Sequence, residues 1–271
     1  MSRPFERLRD YVATAATLGT GPWAAAVILW HQTKNIRVRL RVARHRPHSV
    51  YAIDTIYGRL YLRDNFGDVT NLAGLLYRQV YGIQQLDRPG IILDVGANIG
   101  LAAALFAHYN RDRTIYCFEP LPSNVALIRR NCPNAHVVPC AVGAAPGRVR
   151  LDVDADGVMA SRIPCRWPTS PAEFDVISLD QFVAAEGIGE VALLKIDAEG
   201  MEDDILDGAA ATLGRTHRVV LETHGRPRHD GVLRRLRERG FEIDSDVFRE
   251  STGFVAARRT GVAELQAGRP A

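Results

Sequence analysis

From Gly90 onward the chain alternates short apolar, β-rich runs with segments of helix length. That alternation is the pattern of βαβ units around a mostly parallel sheet, and it predicts an α/β architecture. The first unit reads IILDVGANIGLAAALFAHY: a buried strand over Ile91–Val95, a glycine turn, and a helix from near Ile99 to about Tyr109. Gly96 and Gly100 let the backbone turn sharply and approach a ligand, with Asn98 between them, and the helix start offers unpaired N–H groups. Asp94, at the carboxyl end of the strand, can accept hydrogen bonds from loop amides or from a ligand ammonium.

The second unit narrows the ligand. TIYCFEP puts Glu119 at the end of its strand, followed by Pro120, 25 residues after Asp94. An acid at that place can bind both hydroxyls of a ribose. A nicotinamide enzyme would want G-x-G-x-x-G in the first turn, whereas this chain has Gly96-Ala97-Asn98-Ile99-Gly100 and lacks the closely spaced pair, so a pyrophosphate fits poorly. The turn D-x-G-x-x-x-G with an acid at this distance is the arrangement of class I S-adenosylmethionine methyltransferases, whose cofactor has ribose hydroxyls and no phosphate. A third strand, His136–Ala141, would bring Ala141 and Val142 over the adenine in that topology, and GRVRLDV (Gly147–Val153) alternates like a further strand.

Downstream lie VISLDQF (176–182), VALLKIDAEGMEDDILDGA (191–209) and VVLETHG (219–225). With Lys195, Ile196, Asp197, Glu199, Gly200, Glu202, Gly208 and Ala209 in the order K-I-D-x-E-G-x-E…G-A, the chain resembles the FkbM family of methyltransferases over about Leu60–Ala257. The resemblance implies a Rossmann-like class I methyltransferase fold with a seven-stranded, mostly parallel sheet. It further implies S-adenosylmethionine as donor and methylation of oxygen on sugars, glycolipids, polysaccharides or secondary metabolites. The expected cofactor set is Asp94, Gly96, Asn98, Gly100, Glu119, Pro120, Ala141, Val142 and Asp197.

Methyl transfer needs an oriented acceptor and a route for its proton. Asp197 follows the apolar strand VALLKI and is expected at the carboxyl edge of the sheet, where ligands bind in open α/β folds. Glu222 and His224 end the next strand and face the same crevice. His224 is the expected base, because imidazole titrates near neutral pH, with Asp197 orienting substrate or donor; Asp197 or Glu222 are the alternative bases. Glu199 and Glu202 start a helix, where the macrodipole favours acids. Asp197, Glu199 and Glu222 also offer oxygen ligands for Mg²⁺, which is not expected to be essential for donor binding. Lys195 reads as a solvated or ion-paired side chain.

Domain boundaries are expected at 1–89 for an amino-terminal helical and β extension or cap, 90–260 for the methyltransferase domain and 261–271 for a frayed tail. Within the extension, Tyr11–Trp30 lacks any formal charge, but Gly19, Gly21 and Pro22 interrupt it, so it is a poor membrane span. Two short helices packed on the domain, with peripheral membrane contact as the functional alternative, fit it better. Arg37, Arg39 and Arg41 alternate with Val38, Leu40 and Val42, predicting a half-buried strand with a basic face; GRLYLRD (Gly58–Asp64) predicts a second strand, and Thr70–Tyr81 has helical apolar spacing. Met1–Arg63 holds eleven Arg or Lys against three acids. The whole chain carries only +3, too little to argue for a nucleic-acid polymer, and a small-molecule or glycan acceptor is expected instead. Cys117, Cys132, Cys140 and Cys165 form no C-x-x-C pair, so a reducing, cytoplasmic setting is the default. Near the end, Val232–Arg239 predicts an amphipathic helix stopped by Gly240, then hairpin strands over Phe241–Val247 and Gly253–Ala257. The competing readings are a dinucleotide-dependent oxidoreductase and a catalytically silent carbohydrate-binding protein of the same fold.

Overall fold

A computed structural model of the chain describes residues 4–154, 159–163 and 169–260. Cys165 and the expected tail 261–271 lie outside the described residues. In chain order, helices α1 (Pro4–Leu18) and α2 (Pro22–Arg39) precede a hairpin of β1 (Arg46–Thr55) and β2 (Gly58–Asp64). Helix α3 (Phe66–Asn71) then runs directly into a π-helical turn, Leu72–Tyr77. The core follows as β3 (Ile91–Val95), α4 (Leu101–Tyr109), β4 (Ile115–Phe118), α5 (Pro122–Asn131) and β5 (His136–Val138). An inserted mixed layer comprises β6 (Ala141–Val142), β7 (Gly147–Asp154), β8 (Ala160–Ser161) and β9 (Thr169–Ile177), with β6 parallel to β9 and β7 antiparallel to β8 and β9. The chain closes with α6 (Leu179–Ala185), β10 (Val191–Ile196), α7 (Glu202–Asp207), α8 (Ala210–Gly214), β11 (Thr216–His224), α9 (Arg226–Glu238), β12 (Phe241–Arg249) and β13 (Thr252–Arg259).

The main sheet has seven strands in the order β12-β13-β11-β10-β3-β4-β5, and β11, β10, β3, β4 and β5 pair in parallel. Buried on both faces, its central strands are apolar apart from Asp94 on β3 and Lys195 on β10, and every residue of β10 is buried. The winding goes outward from β3 to β5 and then restarts at β10 on the other side of β3. That reversal makes the β3/β10 boundary a topological switch point, where the strand ends leave a crevice. The fold is therefore α/β, a Rossmann-like class I methyltransferase fold.

Two expected strands are corrected. Ile36–Val42 is not a strand, because α2 continues to Arg39 and the chain turns at Leu40. The buried positions Ala24, Ile28, Gln32 and Asn35 follow helical spacing, and Arg37 folds back onto Trp30, its guanidinium 3.7 Å from the ring centroid. Burial of that face outweighs the alternation. The partner of β2 is instead Arg46–Thr55. The expected third strand splits: β5 stays in the main sheet, while Ala141–Val142 leaves it to pair with Val176–Ile177 in the inserted layer. Pro139, without an N–H, stands at the break. In Thr70–Tyr81 the helix begins earlier, at the Asn65 cap, and ends at Tyr77.

The extension shares its core with the sheet domain. Leu18 and Ile28 from α1 and α2, Leu60 and Leu62 from β2, and Leu101, Leu105 and Leu127 from α4 and α5 form one buried cluster. No helix among the described residues is long and apolar enough to cross a membrane. Trp23 and Trp30 nonetheless stand 82% and 58% exposed on the outer face of α2.

Candidate active site

At the switch point, the first glycine turn is packed against the end of β10. Gly96 has φ 71°, and a Cβ there would lie 1.8 Å from the Asp197 carbonyl oxygen, so only glycine fits. Asp197 N–H donates to Val95 O at 3.0 Å and locks the two strand ends together. Lys195 sits in register with Asp94 on the neighbouring strand and is buried beside it, Nζ to Oδ1 2.9 Å. It also donates to Gly96 O at 2.7 Å. Burial alone would strip its proton, but the charges of Asp94 and Asp197 outweigh that and hold it charged. Lys195 is thus ion-paired and not solvated, and Asp94 acts beneath the turn as its counter-ion.

Glu119 is buried, and its carboxylate accepts from Asn98 N–H at 2.9 Å, Leu121 N–H at 3.0 Å and the Asn124 amide at 3.1 Å. Burial raises its pKa to about 7 against those donors. Above it, Arg63 of β2 makes a two-pronged pair with Asp68, Nε and Nη2 both at 3.0 Å, and donates to Asn124 Oδ1 at 2.7 Å and Asn98 Oδ1 at 3.3 Å. The extension therefore braces the loops that hold Glu119. The sequence reading missed this brace; its one local signal is Asn65-x-x-Asp68, in which the Asn65 side chain caps α3.

A cavity of 760 Å³ opens over these elements, of the size small-molecule sites have. Of the expected cofactor residues, Gly96, Asn98, Glu119, Pro120, Ala141, Val142 and Asp197 line it, while Asp94 and Gly100 do not. Gly100 instead begins α4 at φ 82°, where a Cβ would lie 3.2 Å from Ile128 Cα, so its role is close helix packing. Asn35 and His45 of the extension also line the cavity.

The carboxylates at the ends of β10 and β11 form the opposite wall. Asp197 accepts from Tyr81 O–H at 3.2 Å; burial and the nearby acids push that phenol's pKa up, so it remains a donor. Glu199 and Glu222 line the cavity, each raised to about 7 by burial first and then by the charge of Asp197. His224 does not line it. It lies behind the wall, Nδ1 2.8 Å from Glu202 and Nε2 3.4 Å from Glu199 and 3.5 Å from Glu222. Burial works to lower its pKa, but the hydrogen bonds to Glu202 and Glu222 and the charge of Glu199 outweigh it and push it up to about 11. At neutral pH it is an imidazolium, so its placement does not suit the base expected from sequence. Glu202, fully buried at the start of α7, accepts from Gly200 N–H as well as from His224. Asp197, Glu199 and His224 offer ligand atoms within 4.8 Å of one another, the residues that could hold a metal ion; to join such a set His224 has to give up its proton.

A parallel sheet that reverses beside β3, with a buried acid closing the second strand and an acid-lined cavity over both, defines a Rossmann-like S-adenosylmethionine-dependent methyltransferase. Residues 94–243 match the Methyltransferase FkbM domain, and the chain belongs to that family. It is 30% identical to the 31-O-demethyl-FK506 methyltransferase FkbM of Streptomyces tacrolimicus, over 69% of this chain and 90% of that protein. It is 25% identical to the 2-O-methyltransferase NoeI of Sinorhizobium fredii, over 58% and 72%, and 22% identical to the hexuronic acid methyltransferase AglP of Haloferax volcanii, over 65% and 74%. The protein is an S-adenosylmethionine-dependent O-methyltransferase.

Proposed function

We propose that this enzyme methylates a hydroxyl of a sugar or sugar-bearing metabolite, with Glu222 receiving the proton. The observation that carries the reading is the carboxylate wall: Asp197, Glu199 and Glu222 converge on the cavity, two of them raised to about 7, with a fixed cation behind. In this reading Glu119 takes the ribose hydroxyls, the Gly96 turn holds the methionine portion and Ala141–Val142 lies against the adenine. When bound, S-adenosylmethionine supplies an electrophilic methyl group on a cationic sulfonium. A wall of acids suits such a cation, and the small Gly96 turn leaves room for it.

An alcohol is a far weaker acid than any side chain here, so its proton has to leave as the oxygen takes up the methyl group. A carboxylate with a pKa near 7 accepts that proton better than one in the usual range, while remaining substantially ionised at neutral pH. His224 then orders Glu199 and Glu222 and screens their mutual repulsion; it is a positioning residue. Glu222→Gln keeps shape and polarity but cannot accept the proton. Its kcat is expected to fall by ~10²-fold or more, with S-adenosylhomocysteine affinity in calorimetry within about twofold of wild type and unaltered by a chelator. Full activity in Glu222→Gln, with loss of activity in the chelator, would overturn this assignment in favour of metal held by Asp197, Glu199 and His224.

A further inference from the structure

Single exposed apolar side chains are ordinary on a protein surface; a concentration of them is not. Among the described residues, eight of the eleven large hydrophobic side chains left exposed fall between Leu8 and Val50, so the extension carries a surface of its own. Five of the eight lie along α2 and the turn that follows it: Trp23, Trp30, Ile36, Leu40 and Val42. Trp23, Trp30 and Arg37 recur at two helical turns, which puts them in one row on the side of α2 away from its buried residues Ala24, Ile28 and Gln32. Arg37 lies over the Trp30 ring and donates from Nη2 to Trp30 O at 3.0 Å. The helix then stops in a tight turn. Arg41 N–H donates to Val38 O and Val42 N–H to Arg37 O, both at 3.0 Å, with Arg41 at φ 60°, the left-handed position where glycine is the usual residue. Leu40, 67% exposed, and Val42, 74% exposed, project from this turn on either side of Arg41 in sequence.

Charge selects the partner. From Tyr11 to Ile53 the chain has Lys34 and five arginines and no aspartate or glutamate. The acids that neighbouring elements bring to this segment are already matched: Asp64 by Lys34, Asp68 by Arg63 and Asp54 by Arg59. On α1, exposed Asp10 is offset by its exposed neighbour Arg9. Arg41, Arg44 and Arg46 are exposed, and no ion pair engages their guanidinium groups among the described residues. Arginines interleaved with tryptophans and aliphatic side chains suit the boundary of an anionic bilayer. There the rings and aliphatic groups enter the headgroup layer while the guanidinium groups meet lipid phosphates. A nucleic acid would use the arginines and leave Leu40 and Val42 in water. A second copy of this chain would set arginines against arginines.

We propose that the outer face of α2 and the turn after it dock this protein on the surface of an anionic lipid bilayer. Asn35 and Val38, near the same end of α2, line the cavity, so docking there brings the cavity close to the lipid surface. The proposal stands apart from the methyl-transfer reading, and its test reads no turnover.

Flotation of the full chain with vesicles of equal parts phosphatidylcholine and phosphatidylglycerol, and with vesicles of phosphatidylcholine alone, tests it. Wild type is expected to bind the anionic vesicles about tenfold more tightly or better, and to lose that preference in high salt. The double variants Trp23→Ser/Trp30→Ser and Leu40→Ser/Val42→Ser remove exposed apolar surface, and Arg41→Gln/Arg44→Gln removes charge. Each is expected to weaken binding to anionic vesicles about tenfold. All six positions are exposed, and a melting transition like that of wild type shows each variant to be folded. The proposal is overturned if wild type does not float with anionic vesicles, if it binds neutral vesicles equally well, or if the folded tryptophan or arginine variant binds unchanged. Tighter binding to polyuridylate than to the vesicles would overturn it in favour of nucleic acid. A dimer that forms without lipid and is abolished in Trp23→Ser/Trp30→Ser would overturn it in favour of a second copy of the chain.

Discussion

His224 shows how an environment reassigns a residue. As the last residue of a strand it looks like a base; surrounded by Glu199, Glu202 and Glu222 it becomes a buried cation. Its role is structural first, since Glu202 is fully buried and Arg228, 3.4 Å away, is its other cationic neighbour. His224→Gln leaves that carboxylate under-compensated and is expected to cost about 2 to 4 kcal/mol in chemical denaturation at pH 7. The pH dependence follows from direction. His224 is raised from 6.5 to about 11, so the stability it contributes is complete below pH 6.5 and is lost as pH climbs toward 11. Glu119, Glu199 and Glu222 are raised from 4.5 to about 7, so the folded state binds more protons than the unfolded one and stability falls as pH rises through that window. Glu202 is lowered and acts oppositely, but only in acid. Between pH 6 and 9 the raised groups therefore act with one sign, and the melting temperature of the unliganded protein is expected to fall steadily, less steeply in His224→Gln above pH 7. A flat or rising profile over that range would contradict the burial and pairing described. At this scale the sequence was legible where a motif fixes the backbone: Gly96, Glu119 and Asp197 reach the cavity as their strand-end positions imply. Asn35 and His45 were not, because no local pattern marks a polar side chain that meets the site only through tertiary packing.

Among the elements, the sheet was readable from apolar runs, and β3 and β2 begin and end where the pattern places them. The extension misled where two periodicities overlapped. Alternating arginines suggested a strand, but the buried face of α2 runs back through Ile28 and Ala24, outside the alternating stretch. The break between β5 and β6 carried only Pro139 as a sign, and the change of sheet depends on β9, more than thirty residues later. Hairpin β1/β2 reaches the loops around Glu119 through Arg63, which donates to Asn98 and Asn124. Arg63→Met leaves Asp68, 3% exposed, as an unpaired buried charge, and is expected to destabilise the fold by about 3 kcal/mol. It is also expected to weaken S-adenosylhomocysteine about tenfold in calorimetry by releasing Asn98 and Asn124 from their positions around Glu119. Arg63→Lys keeps the charge without the two-pronged geometry and should fall between. Unaltered donor affinity in a folded Arg63→Met protein would show that the hairpin only packs against the site.

For the molecule as a whole, the sheet reverses where ligands bind, the turn of β3 is closed against β10 by Asp197, and the extension roofs the crevice so formed. The result is an acidic cavity, walled on one side by the carboxylates at the strand ends and on the other by residues of the amino-terminal extension. The central claim is that this cavity is where the methyl donor binds, held through its ribose by Glu119. Titration calorimetry of S-adenosylhomocysteine into wild type and Glu119→Ala, each shown to be folded, tests it most directly. The account predicts one site per chain in the wild type and a loss of ~1 to 3 kcal/mol in the variant, from the charge-assisted hydrogen bonds removed. Equal affinity in the two proteins would contradict it.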